Sequence, residues 1–235
     1  MTENMQERCT IDLSSPFWLH YLSLEKSLKE ISEYIAINED NSKSYSFKNM
    51  QLYFAICTEI DSIFKHIRDN LHLKKIERPN IGHHIKMIKD YFPKIEETIL
   101  TLNMSGFDLD FQPFSILFEN TKTEKSNEDV EKNSNCEGWW KDYNSVKHQR
   151  LENFKKANLE NLLNSFAALH ILNLVYVISL EEKLVPIYDK VLIQANALRD
   201  YPFFQVRGSE VIRYVGGGGD FYGCYLSNKH IYSEN

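Results

Sequence analysis

Glycine and proline are scarce in this chain, 9 and 6 among 235 residues, about half the ordinary combined share. That scarcity excludes a collagen-like repeat, and it predicts long uninterrupted elements, most easily helices. The 4 cysteines, at positions 9, 57, 136 and 224, form no CxxC pair. Neither a zinc site nor a disulfide framework is indicated, and reduced structural thiols are expected, with no metal and no cofactor. Cations are outnumbered, 27 Lys and Arg against 33 Asp and Glu, for a net charge of −6. Nonspecific duplex binding is disfavoured, because nothing in bulk would neutralise phosphates, although local basic patches are compatible with this balance. Long apolar runs are lacking too. The longest, Ile171 to Leu180, is interrupted by Asn173 and Ser179 and falls short of the ~20 residues that cross a bilayer. The first residues, Met1, Thr2, Glu3 and Asn4, lack the basic start and apolar stretch of a secretory signal, so a cytoplasmic protein with no membrane partner is expected.

Aromatic residues are abundant: 14 Phe, 13 Tyr and 3 Trp. With 43% apolar and 26% charged residues, they predict a packed globular interior rather than disorder throughout. Apolar residues at Leu24, Leu28, Ile31 and Ile35 share one helical face over Phe17 to Ile37, with Ser14 and Ser15 ahead of Pro16 as start signals. Leu52, Ile56, Ile60, Ile63 and Ile67 form a longer stripe ending near Leu73. After the break at Pro79, Asn80 and Gly82, the spacing of Ile81, Ile85, Ile88 and Phe92 predicts a shorter helix stopped at Pro93. Residues 94 to 104 read as a further helix or a turn. The alternation Phe107, Leu109, Phe111 reads as a short strand or an ordered loop.

Between Glu119 and Glu137, six acids face three lysines and Val130 is the only aliphatic residue, which predicts a mobile acidic insertion. The stripe from Leu159 through Leu163, Phe166 and Leu172 to Val177 predicts a long, mostly buried helix ending before Pro186. Six of the nine glycines fall at 208, 216 to 219 and 223 among Tyr and Phe, so the last fifty residues read as short strands with loops. Gly216 to Gly219 lacks the following Lys-Ser or Lys-Thr of a phosphate-cradling loop and reads as a hinge.

The densest cluster of chemistry-bearing side chains is Trp139 to Arg150. On a helix, Trp140, Asn144 and His148 lie at four-residue steps along one face, with Lys141 one heptad before His148. An imidazole can exchange a proton with a hydroxyl near neutral pH, while an amide and a cation stabilise charge on a phosphorane or carbonyl oxygen. The plainer reading makes Trp139 and Trp140 core anchors and lets Asn144 and His148 tie this turn to the acidic loop. Elsewhere, His83 and His84 point about 100° apart on a helix, which suits surface or cap roles better than a metal pair. Glu59 and Asp61 are either acids in the bundle centre, with His148 a partner for Glu59, or solvated carboxylates.

The run WWKDYNSVKHQRLENFKKANLENLLNSFAALHIL, with the earlier YFAICTEIDSIFKHIRD, resembles HEPN-like (higher eukaryotes and prokaryotes nucleotide-binding) proteins. The resemblance covers about residues 17 to 180, and its specific part lies at about 45 to 70 and 138 to 178. It implies a mainly α fold, a bundle of four to five principal helices over residues 1–186, and says little about the C-terminal segment. Composition adds the acidic loop at 119–137 and a small irregular or β-containing extension, 187–235, packed on or beside the bundle. The resemblance also implies an RNA-directed protein of a prokaryotic stress or defence system, working as a homodimer, with an antitoxin or defence-system protein as a partner. In its active form such a protein is a metal-independent endoribonuclease that uses the ribose 2′-hydroxyl as internal nucleophile. The family motif is an Arg, a polar residue, and a His four to six residues after the Arg. Asn144 and His148 match the last two, whereas Tyr143 stands where the Arg is expected. By resemblance His148 would be the acid or base, Asn144 the orienter and Lys141 the substitute cation, with Lys147, Arg150 and Tyr143 contacting RNA. The alternative is a noncatalytic dimerisation or interaction module built from the same helices.

Overall fold

In the computed structural model the residues described are 9–12, 15–104, 107–119, 138–180, 190–196, 204–207, 210–216 and 219–227. The expected acidic insertion at 119–137 therefore lies, beyond Glu119, outside the described residues. The protein is mainly α, a helical bundle with a β-containing C-terminal extension, as expected.

Strand β1 (Cys9–Asp12) precedes α1 (Pro16–Ser32), which starts where Ser15 accepts the backbone N–H of Trp18 at 3.1 Å and Pro16 occupies the first turn. Leu24, Leu28 and Ile31 face inward. The helix stops short of the expected Ile37, because the chain turns after Ser32 while Tyr34 and Ile35 still donate to the Ile31 carbonyl. Helix α2 (Phe47–Asn70) is capped by Ser46, and all five residues of its stripe are buried. Helix α3 (Ile81–Tyr91) opens with a reciprocal cap: the His83 N–H donates to Asn80 Oδ1 at 3.1 Å, and the Asn80 N–H donates to His83 Nδ1 at 3.2 Å. His83 thus takes the cap role that its position suggested.

A 3₁₀ turn (Pro93–Glu97) leads into β2 (Leu100–Met104), which pairs antiparallel with β3 (Phe107–Phe111). A helix over 94–104 is therefore not found. Burial of Leu100 and Leu102 on either side of half-buried Thr101 is strand periodicity, and the hairpin partner decides it. Helix α4 (Pro113–Glu119) follows with proline at its start. Then come α5 (Trp139–His148), the short α6 (Arg150–Asn153) with a 3₁₀ turn (Phe154–Lys156), and α7 (Leu159–Leu180).

Helix α7 is apolar on nearly every side and is packed accordingly, most extensively against α2 and also against α1, α4 and α5. By length and composition it could cross a bilayer, which counting uninterrupted apolar residues does not reveal. Its most apolar window is 89% buried within the protein.

The C-terminal stretch adds β4 (Lys190–Asn196), β5 (Phe204–Val206), β6 (Glu210–Gly216) and β7 (Gly219–Ser227). One sheet runs β1-β4-β7-β6, with β1 parallel to β4; the other runs β3-β2-β5. The division at 186 is thereby crossed twice, since β1 joins the C-terminal sheet and β5 extends the hairpin of the helical part. Gly216 pairs with Gly219 where β6 and β7 run antiparallel, and Gly217 and Gly218, with the hinge read there, lie outside the described residues.

Phe204 on β5 is fully buried, stacked on Phe166 of α7 at 5.8 Å and edge-on to Phe111. Phe204→Ala is expected to lower unfolding free energy by about 3–5 kcal/mol. Urea denaturation checks this, and a loss under 1 kcal/mol would mean that the extension packs elsewhere.

Candidate functional site on helix α5

Helix α5 is held by one face. Its entry residue Gly138 has φ +74°, and a Cβ there would meet Ile116 Cγ2 at 2.5 Å, so only glycine admits the chain at this point. Trp139 then donates its indole N–H to the Pro113 carbonyl at 3.0 Å, and its own carbonyl accepts the Tyr53 hydroxyl from α2. Burial pushes the Tyr53 phenol far above its ordinary range, so it keeps the proton that makes this bond. Trp140, Tyr143 and Val146 complete the buried side, with Tyr143 edge-on to Tyr53 and Phe54. Trp139 and Trp140 are thus core anchors, as the plainer reading held.

Asp142 braces the flank of the helix, accepting from Asn161 Nδ2 at 2.9 Å and pairing with Lys156 at 3.1 Å. This ties α5 to the start of α7. The opposite side carries Lys141, Lys147 and His148, all exposed, with Asn144 half-buried between them. The Asn144 amide N–H donates to the Trp140 carbonyl at 3.1 Å. Lys147 reaches back over the Tyr143 ring, 5.4 Å from its centroid. The side chains of His148, Arg150 and Lys155 make no ion pair or hydrogen bond among the described residues.

Lys141, Asn144 and His148 therefore share a solvent-facing strip, as their spacing suggested. Lys141 and His148 stand seven residues apart, about 10 Å along the axis, which suits neighbouring phosphates better than one shared oxygen. Tyr143 is the correction. It is 6% exposed and belongs to the core, so it is not an RNA contact, and the place of the motif Arg points into the bundle rather than into solvent.

Several other candidates resolve differently. Glu59 pairs with His20, Oε1 to Nδ1 at 3.1 Å, and not with His148. Against the surface or cap reading, His84 is fully buried, stacked on Phe64 at 4.7 Å, with Nε2 3.6 Å from Asp61. The imidazole of His84 and the ammonium of Lys65 hold the Asp61 carboxyl low, at about 2. Cys57 is buried, and burial raises its thiol. A cavity of about 490 Å³ lies between the loop at 38–42, β3 and the start of α7. Two of its carboxylates are already paired, Glu160 with Lys43 and Asp110 with Arg207. Among the described residues no group of three His, Cys, Asp or Glu gathers to hold a metal.

Sequence reading missed one polar chain, because its members are 149 residues apart. Tyr21 on α1 donates to Glu25 Oε1 at 2.6 Å, which leaves its oxygen to accept from His170 Nδ1 on α7 at 3.1 Å. The only signal was a histidine inside an apolar run. His170 is wholly buried, and desolvation lowers its pKa from 6.5 to about 3.

Tyr143→Arg, which recreates the motif, places a charge in a closed aromatic cluster. It is expected to reduce stability by more than about 3 kcal/mol, read as a large drop in Tm; an unchanged Tm would show that the position can face solvent. The unfolded state protonates His170 first, so the stability from its neutral form is complete above pH 6.5 and is lost as pH falls toward 3. Between pH 7 and 4 the unfolding free energy of the wild type should fall by about 3 kcal/mol more than that of His170→Gln. Parallel pH profiles would remove this assignment. No family model, no curated protein and no solved structure matches the chain.

Proposed function

We propose that the chain is an RNA-directed protein of HEPN-like type, serving a prokaryotic stress or defence system, and that it meets RNA with the solvent side of α5 and α6. The observation that carries this reading is local charge. From Lys141 to Lys156 the chain holds five Lys and Arg against Asp142 and Glu152, a net of +3 in a protein of −6, which leaves −9 for the rest. A cationic strip on an otherwise acidic protein steers a polyanion to one face and repels it elsewhere. The exposed imidazole of His148 sits inside that strip.

In the nuclease form of this proposal His148 exchanges protons with the ribose 2′-hydroxyl or the departing oxygen, Asn144 offers its amide oxygen, and Lys141 contacts phosphate. A second copy facing the first across a two-fold axis would double the cations at the scissile group. The burial of Tyr143 favours the other form, a noncatalytic helical module that binds RNA or a partner, because a buried ring stands where the resemblance expects the planar bidentate fork of an arginine.

Titration of a labelled single-stranded RNA over a salt series tests the proposal. Replacing Arg150 and Lys155 by Ala should weaken binding and flatten the slope of log affinity against log salt by about 1.4. Loss of RNA cleavage or of toxicity on His148→Ala identifies the nuclease, whereas RNA binding with no cleavage identifies the module. Absence of RNA binding by the wild-type chain at low salt overturns both.

A further inference from the structure

Beside the cationic strip lies a group of aromatic rings at the edge of the core, with Phe154 half-buried against it and two others exposed. Phe47, the first residue of α2, is 65% exposed, and Tyr45 is 43% exposed. Both pack on Phe154, Phe47 at 4.8 Å and Tyr45 edge-on at 5.4 Å. Leu151, one helical turn before Phe154, is 92% exposed. Large apolar side chains gathered at a surface and held rigid mark a contact area.

The rings are rigidly based. The N–H groups of Leu159 and Glu160 donate to the carbonyls of Ser44 and Ser42, both at 2.9 Å, and Tyr45 bridges Asn158. Ser46 caps α2 between the two exposed rings. The loop bearing Tyr45 and Phe47 is therefore clamped to the segment bearing Phe154, and little further ordering is needed on binding.

The surrounding charge selects the occupant. Arg150 lies one turn before Phe154 and Lys155 directly follows it, both exposed and unpaired among the described residues. The neighbouring Lys43, Lys48 and Lys156 are paired with Glu160, Glu30 and Asp142. A second copy on this patch would set Arg150 and Lys155 against their own mates. A duplex would bring phosphates but hide its base faces. Unpaired nucleotides offer both a flat apolar face and a charged backbone.

We infer that Tyr45, Phe47 and Phe154 form a base-stacking platform for single-stranded RNA, with Arg150 and Lys155 contacting the backbone on either side. This rests on the RNA-directed reading above and adds to it where the strand leaves the α5 strip and why the strand must be unpaired.

The test uses the full chain, a fluorescein-labelled twelve-nucleotide oligouridine, and its duplex with oligoadenosine. Phe47→Ser and Tyr45→Ser replace exposed side chains, and unchanged circular dichroism and Tm establish their fold. Each is expected to weaken oligouridine binding between about 5- and 100-fold while changing duplex binding little. In Phe47→Trp the added indole emission should be quenched by oligouridine, a signal that simple charge neutralisation does not produce. If oligouridine binds but Phe47→Ser leaves the affinity unchanged and Phe47→Trp is not quenched, the platform is wrong while the RNA reading stands. If the wild type binds no RNA, both fall. Equal losses on duplex and single strand, a dimer that Phe47→Ser dissolves, or Phe47-dependent displacement of oligouridine by polyglutamate would each overturn the platform, in favour of duplex, a second copy or an acidic protein.

Discussion

The burial of α7 is the constraint on which the rest of the structure depends. A helix of 22 residues that is apolar on almost every side has to be covered all round, and a single amphipathic neighbour covers one third of it at best. Helix α2, whose stripe Ile56, Ile60, Ile63 and Ile67 is buried, supplies the most extensive contact, and α1, α4 and α5 also pack on the helix. Phe204 adds a further contact from beyond the bundle by stacking on Phe166, and β1 and β3 also touch the helix. Each large side chain so covered contributes roughly 1.5–3 kcal/mol of transfer free energy, which makes the wrapping of α7 the largest source of cohesion. Polar groups trapped by this wrapping have to find partners within it, and Tyr21, Glu25 and His170 do so as a chain.

Helix α5 shows how that constraint positions the surface. Its ring side belongs to the core through Trp139, Trp140 and Tyr143, and Gly138 lets the chain enter at an angle that any Cβ would block. With one side so committed, the other is held in fixed orientation toward solvent. Lys141, Asn144 and His148 therefore share a strip without needing bonds to one another. The same anchoring fixes Tyr143 inward: an arginine there would have to displace a ring packed against Tyr53 and Phe54.

The helices were legible because their stripes are long and regular, as at Leu52 to Ile67, and because Ser15 ahead of Pro16 is a strong start signal. The strand at 100–104 was not legible, since five residues of mixed character take their conformation from the pairing partner. The likeness in spacing between Asn144 and His148 was visible in the chain, but exposure was not. His84 and His148 look alike as letters, yet one is stacked under Phe64 and the other is open to solvent.

By itself the amino-acid order determined the helical class, the extent of α2 and α7, the start of α1, and the side-by-side placement of Lys141, Asn144 and His148 on one helix. These follow from local propensity and from periodicities of a few residues, which act within a segment. Only the tertiary structure decided that Tyr143 turns inward, that β1 pairs with the distant β4 and β5 with the distant β2, and that Tyr45 and Phe47 meet Phe154 at the surface. Those outcomes depend on which surfaces cover α7, a competition among segments distant in the chain that no local pattern encodes.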